Sequence, residues 1–312
     1  MTEVFGNTIS QLIILFAFIV AGLVIGRLRL VPEDTAGTIS KLITFFFMPA
    51  LVFRSCATNC KMENIVQYIT YIGISAAVII VLYFLCKAMG RKFARNQSEI
   101  GIYSYALTVS NSGYVGYPMM LAMFGDLMLF KMMIVVIPVN VYIYTVGMAS
   151  MATGKASLRS LINPVFITTL AGIAFGLSGL TLPPVADEFL SGAANCMSPL
   201  AMLVSGLVMS RLPLNKLFQD CRAYVVVLLR LVILPAAIVA ILYLLGVGEE
   251  LLMIMLMLNA MPIGMNTIVF PESYGIDGTT GAKLVLLSSI FCLITIPFMV
   301  MLFMRLFPGF AV

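Results

Sequence analysis

Two stretches decide the fold of this chain: YSYALTVSNSGYVGYP at residues 103–118 and LNAMPIGMNT at residues 258–267. Each lies inside a long apolar run, yet each carries Asn, Gly and Pro near its middle. Proline removes a main-chain donor and glycine weakens a helix, so both stretches are predicted to interrupt a helix. The residues expected at the interruptions are Gly113, Gly116 and Pro118 in the first stretch and Pro262 and Gly264 in the second.

The composition around these stretches is that of a membrane protein. Of the 312 residues, 62% are hydrophobic and 10% are charged, and the mean hydropathy is +1.10. A soluble domain carries about 25% charged residues, so a soluble globular enzyme is excluded. The chain has no His, which removes mechanisms that need an imidazole base or ligand. We predict that the protein is not an enzyme, that it needs no cofactor or metal, and that it binds membrane lipid and not nucleic acid.

Ten apolar runs are long enough to be considered as membrane spans, and all are predicted to be helices. The predicted fold is therefore an all-α integral membrane protein. The runs lie near residues 8–28, 39–53, 65–89, 103–124, 127–151, 164–180, 189–209, 223–245, 251–270 and 282–307.

The charges between the runs predict the orientation. When the loops are assigned alternately to two sides, thirteen Lys and Arg residues fall on one side and four on the other. Because basic loops stay in the cytoplasm, we expect a multi-pass protein of the cell membrane with both termini outside.

The second half of the chain resembles the first. The pattern A-G-x-x-x-G at residues 21–26 returns at 171–176, and Pro49 is matched by Pro199, both at an offset of 150 residues. Each half contains five spans, so the second enters the membrane inverted, as in many secondary transporters. We predict a first repeat at 1–151, a short cytoplasmic linker at 152–163 and a second repeat at 164–312.

The two interruptions occupy equivalent places in the two halves, which is the best sequence pointer to a midplane site. Half-helices that restart after a break present free N–H groups and a positive dipole end, which together suit a carboxylate. The predicted substrate-binding residues are Asn111, Ser112, Gly113, Tyr114, Gly116, Pro118, Asn259, Pro262, Gly264, Asn266 and Thr267.

Three segments resemble the auxin efflux carrier (PIN-like) family. Residues 111–118 are similar to its N-x-x-x-x-G-x-P segment in helix 4, residues 261–264 with 269–274 are similar to helix 9, and residues 230–236 are similar to the R-x-x-x-x-P-A of helix 8. The short 5–6 connection is similar to that of the bacterial members. The resemblance implies ten helices in two inverted repeats, with broken helices 4 and 9 crossing near the substrate.

The same resemblance implies export or exchange of small organic anions by an elevator-like movement, and a homodimer. The implied substrates are malate, malonate or indole-3-acetate. The sequence departs from the family at Thr267, preceded by Asn266, where a second proline is expected. Spans 2 and 3 also lack the ionisable residues that some relatives carry, so proton coupling is not predicted from the resemblance.

Two charged residues are candidates for an electrostatic role. Arg230 lies inside the eighth span, about seven residues or ~10 Å from its cytoplasmic start, where it either snorkels to the interface or counters an anion. Glu272 follows the restarted part of span 9 and either reaches a vestibule or is solvated at the helix end. The alternative function is a sodium-coupled organic-anion symporter of the bile-acid-symporter type.

Overall fold

The computed structural model describes residues 2–151, 163–211, 220–273 and 275–308, and these residues are helical with short connections. No named strand occurs in them; one isolated antiparallel bridge pairs Ser110 with Ile263. We number the helices α1 Thr2–Arg27, α2 Thr35–Asn59, α3 Met62–Phe93, α4 Gln97–Thr108, α5 Ser112–Met151, α6 Pro164–Leu177, α7 Pro184–Ser210, α8 Cys221–Leu244, α9 Glu249–Ala260, α10 Asn266–Ser273 and α11 Thr279–Leu306.

Six of these helices, α2, α3, α5, α7, α8 and α11, are long and apolar enough to cross a membrane. Two shorter apolar helical stretches are Ile13–Arg27 within α1 and Pro164–Leu177. The all-helical membrane architecture predicted from composition is therefore present in the described residues. The count of ten crossings and the inverted orientation of the halves stay predictions, and most of the predicted linker, residues 152–162, lies outside the described part.

Wide helical turns precede three prolines. The π turns Ile43–Phe47, Ser112–Gly116 and Leu229–Ile233 each end two residues before a proline, namely Pro49, Pro118 and Pro235. A proline ring clashes with the carbonyl four residues earlier and donates no hydrogen bond. A π turn moves that carbonyl away from the ring, so these helices continue through proline without ending.

The fourth and fifth predicted spans are joined by a sharp kink. Gly125 has φ 79° and ψ −179° inside α5, a conformation that only glycine adopts readily. The kink falls where the sequence places the boundary between the two apolar runs, near residue 125.

The described contacts divide the chain into two compact units, and each unit draws on both predicted repeats. Unit 1 contains residues 1–69, 113–134 and 162–212, and unit 2 contains residues 70–112, 135–161 and 213–312. The units are defined by contacts in space and the repeats by similarity in sequence, so the units do not test the predicted repeat boundaries.

Glycines hold the helices of unit 1 close together. A Cβ atom on Gly206 of α7 would lie 2.8 Å from the Leu23 nitrogen and nearer still to the Ile19 carbonyl oxygen of α1. A Cβ atom on Gly176 of α6 would lie 2.8 Å from the Cys56 carbonyl oxygen of α2. Gly22 and Gly26 of the first A-G-x-x-x-G motif also face α7 closely, so the two motifs bring α1 onto α7 and α6 onto α2.

One ion pair and one amide hydrogen bond link elements of unit 1. Arg54 of α2 donates from Nε to Asp187 of α7 at 2.7 Å and from Nη2 to the other carboxylate oxygen at 3.2 Å. The Asn59 amide donates to the Asp126 carboxylate at 2.7 Å, beside the kink at Gly125. These bonds fix the last turns of α2 against its neighbours.

Candidate functional site

Two chain breaks meet inside unit 2. Helix α4 ends at Thr108 and α9 ends at Ala260, and the segments that follow them run antiparallel. The Asn111 N–H donates to the Pro262 carbonyl at 2.8 Å, and the Gly264 N–H donates to the Val109 carbonyl at 3.3 Å. Main-chain groups released by the two breaks therefore partly satisfy each other, as a position away from bulk water requires. We call residues 109–111 and 261–265 the crossing.

Local sequence explains the close approach at the crossing. A Cβ atom on Gly264 would stand 3.3 Å from the Ser110 carbonyl oxygen, so a larger residue would push the segments apart. Met261 is extended, with φ −65° and ψ 152°, which is the conformation that a following proline favours. Pro262 thus ends α9, and Gly264 admits the partner segment.

Ser288 of α11 supports the crossing and was missed by sequence reasoning. Its hydroxyl accepts a hydrogen bond from the Ile263 N–H at 3.0 Å and donates to the Val285 carbonyl at 2.9 Å, and the side chain is fully buried. A signal was available, since Ser288 is one of two adjacent serines in an otherwise apolar part of α11.

Both predicted asparagines of the breaks are buried. Asn111 is 7% exposed and Asn259 is 4% exposed, and the Asn259 amide nitrogen donates to the Met255 carbonyl at 2.9 Å. A small cavity beside Asn259 is also lined by Ser75, Thr108 and Ser110, and its ≈ 10 Å³ suits the centre of about one water molecule.

The start of α10 presents free hydrogen-bond donors. The main-chain N–H groups of Met265 and Asn266 have no acceptor in the described structure, and the Thr267 hydroxyl is buried without a hydrogen-bond partner. Met265 and Asn266 are partly exposed. The Asn266 side chain lies beside the hydroxyl of the fully buried Tyr105. This helix start is suited to an anion.

The first break lies earlier than the sequence predicted. It was expected around Gly113, Gly116 and Pro118, but Val109 is already extended and α5 begins at Ser112. Gly113 and Gly116 lie in the first turn of α5 and Pro118 follows at once. The π turn Ser112–Gly116 accommodates this proline, so α5 continues through it.

The predicted site residues are consequently divided between the units. Unit 2 contains Asn111, Ser112, Asn259, Pro262, Gly264, Asn266 and Thr267, and unit 1 contains Gly113, Tyr114, Gly116 and Pro118. Within unit 1, Tyr114 places its hydroxyl 3.1 Å from the Thr44 hydroxyl and donates to the Ser40 carbonyl at 3.4 Å.

Of the two charged residues with a predicted electrostatic role, the structure describes the side chain of Arg230 and not that of Glu272. Arg230 is fully buried in unit 2 and does not reach an interface, so the snorkelling interpretation is wrong. Burial places its guanidinium among packed helices of the same unit. Glu272 belongs to helix α10, but its side chain lies outside the described structure, and its role stays a prediction.

Comparisons with known proteins agree on one family. A family model described as membrane transport protein matches residues 7–158 and 148–300. The uncharacterized transporter YfdV of Escherichia coli is 22% identical over 304 residues, covering 93% of this chain and 95% of that protein. The uncharacterized transporter MJ1031 of Methanocaldococcus jannaschii is 21% identical over 274 residues, covering 85% and 88%. The lysosomal cholesterol signaling protein of Mus musculus is 24% identical over 220 residues, covering 62% of this chain and 25% of that protein.

Proposed function

We propose the following function for this chain, which belongs to the membrane transport protein (auxin efflux carrier) family: it exports small organic carboxylate anions across the cell membrane. That the chain is a membrane transporter follows from the family and from its apolar helices. No enzymatic role is proposed. The choice of an anion is carried by the free donors of Met265, Asn266 and Thr267 at the start of α10.

These donors suit a carboxylate better than a cation or a neutral solute. Two successive main-chain N–H groups and a hydroxyl can each donate to a carboxylate oxygen, and such charge-assisted bonds are about twice as strong as neutral ones. The dipole of α10 adds positive potential at the same end. Thr267 stands where the family pattern has proline, so this chain has a donor that proline would lack.

The proposed mechanism is alternating access. Asn111 and Asn259 orient the carboxylate at the crossing, and an elevator-like movement carries it between the two faces of the membrane. Ten crossings in two inverted repeats, a homodimer and outside termini belong to the same proposal. The reciprocal packing of α1 on α7 and of α6 on α2 supports the repeat, because the predicted repeat pairs α1 with α6 and α2 with α7.

The membrane potential is the proposed driving force. An interior-negative potential pushes an anion outward with about 2.3 kcal/mol per charge per 100 mV. This source needs no titratable group at the crossing, and the crossing segments 109–111 and 261–265 contain none.

One observation favours the sodium-coupled alternative. The cavity beside Asn259 is lined by Ser75 and Thr108, whose hydroxyls already donate to the Val135 and Ser104 carbonyls at 2.6 and 2.7 Å. Their oxygens can therefore only accept, which suits a small cation. The buried positive charge of Arg230 in the same unit opposes a cation, so we place potential-driven export first.

The test is carboxylate transport by purified protein in liposomes. We expect saturable malonate or malate transport that follows the membrane potential, needs no sodium gradient and is lost in Asn111→Ala and Asn259→Ala. Asn64→Ala is the matched control and should transport normally, because Asn64 is exposed in the first turn of α3.

Three results would count against the proposal. Absence of carboxylate transport under every gradient would refute the substrate class. Normal transport by both asparagine variants would refute the site. Transport that requires sodium and is lost when Ser75→Ala and Thr108→Val are combined would establish the symporter instead.

A further inference from the structure

Arg230 is the largest fully buried side chain in the described structure. It lies in the π turn Leu229–Ile233 of α8, and its exposed fraction is 0%. The turn arises at Pro235, as described above, and it widens the helix at the arginine. The guanidinium is enclosed within unit 2 and does not reach its surface.

No acceptor satisfies this guanidinium in the described structure. The Nε and both Nη atoms are buried without a hydrogen-bond partner. The ion pairs among the described residues join Arg54 to Asp187 and Arg95 to Asp220, and neither includes Arg230. A buried charge without a partner costs several kcal/mol, so a carboxylate that paired with Arg230 would be bound favourably.

The π turn lies next to both half-helices that lead into the crossing. It packs against α4, α9 and α11. Arg230 also lies close enough to the Cys86 thiol for an electrostatic interaction, and that thiol contacts the Thr108 hydroxyl at the end of α4. Thr108 lines the cavity beside Asn259. The π turn and the cavity beside Asn259 are thus flanked by the same two half-helices, α4 and α9.

We propose that Arg230 binds the carboxylate group of the transported anion. The inference rests on the proposed function and deepens it by assigning the residue that neutralises the substrate. A planar guanidinium offers five N–H donors in a fork that matches the two oxygens of a carboxylate. Protein groups leave these donors unpaired, so a carboxylate bound beside Arg230 would supply acceptors for them.

The proposal predicts an unusual pair of effects for Arg230→Met. The substitution removes an unpaired buried charge and keeps most of the side-chain volume, so the ligand-free protein should melt at the same or a higher temperature. The same substitution should remove carboxylate binding. Arg230→Lys keeps the charge and loses the fork, so it should bind malonate at least about tenfold more weakly.

The experiment is thermal unfolding of purified protein in detergent, titrated with malonate, acetate and chloride at constant ionic strength. We expect malonate and acetate to raise the melting temperature of the wild type and of Arg222→Met, and to leave Arg230→Met unchanged. Arg222 is the matched control because it lies on the same helix and is exposed.

The outcomes separate this proposal from the proposed function. A fall of several degrees in the ligand-free melting temperature of Arg230→Met, an undiminished malonate response in that variant, or no response in the wild type would overturn the assignment. A response to chloride alone would assign the site to an inorganic anion and overturn the carboxylate. Malonate binding that depends on Arg230, together with no transport in liposomes, would refute transport and keep the binding site.

Discussion

Replacing Gly206 by Ala should destabilise the protein although alanine is the better helix former. The added Cβ atom would lie 2.8 Å from the Leu23 nitrogen and 2.9 Å from the Ile19 carbonyl carbon. Ordinary contacts are near 3.4 Å or longer, and the Ile19 carbonyl oxygen would lie nearer still than these two atoms. The helices α1 and α7 must therefore separate by more than about 0.6 Å, and main-chain atoms cannot rotate away. Overpacking of this kind costs about 1–3 kcal/mol, against a gain in helix propensity of about 1 kcal/mol.

Thermal unfolding in detergent measures the difference between the cost of overpacking and the gain in helix propensity. We expect Gly206→Ala to melt several degrees below the wild type, at about 2–4 °C for each kcal/mol. Gly192→Ala is the control on the same helix, because no atom lies within 4 Å of its added Cβ. That variant should melt at or slightly above the wild-type temperature. Equal melting temperatures for the two variants would refute the reasoning, because they would mean that α1 and α7 are not in close main-chain contact.

Two further predictions concern single bonds. Ser288→Ala leaves the buried Ile263 N–H without its acceptor, so we expect thermal unfolding to show a loss of about 1–3 kcal/mol in stability, together with reduced transport. The control Ser289→Ala should stay near wild type. If Ser288→Ala has the stability and transport of the wild type, Ser288 does not support the crossing. A double-mutant cycle between Arg54 and Asp187, which are 26% and 40% exposed, should give a coupling of about 0.2–1 kcal/mol that weakens with salt. A coupling above about 2 kcal/mol would show instead that the pair is desolvated.

Hydropathy was enough to predict the class of this protein, and the resemblance of three segments predicted its family. The apolar runs correspond to helices throughout the described residues, and the resemblance to auxin efflux carriers is confirmed by the family match. Pro262 and Gly264 also predicted the second break, because proline and glycine act locally. These features depend on a few neighbouring residues, which is why sequence reasoning reached them.

The first break shows where local reasoning stops. Gly113, Gly116 and Pro118 indicated an interruption, but the chain leaves the helix at Val109, several residues earlier. The crossing determines where this break occurs, because the main chain of Val109 and Asn111 forms hydrogen bonds with a segment about 150 residues away in the sequence. Pro118 is then accommodated by a π turn, as Pro49 and Pro235 are.

The hydrogen bond that supports the crossing and the burial of Arg230 could not be predicted from the sequence either. The bond between Ser288 and Ile263 joins α11 to the crossing, and two adjacent serines in an apolar helix do not reveal the partner of either. The snorkelling interpretation of Arg230 was wrong because it used only the distance to the helix end. Whether a long side chain reaches an interface depends on the helices packed around it.

The crossing also has a consequence for biosynthesis. A ribosome releases residues 109–111 long before it releases their partners at 262–264. Until then, the peptide groups of the first break lack the acceptor and donor that they have in the finished protein, in surroundings that offer few others. The first half made alone is therefore expected to be a poor membrane insertion product that cells degrade. Supplying the second half as a separate chain should rescue it, because the missing partners arrive with it.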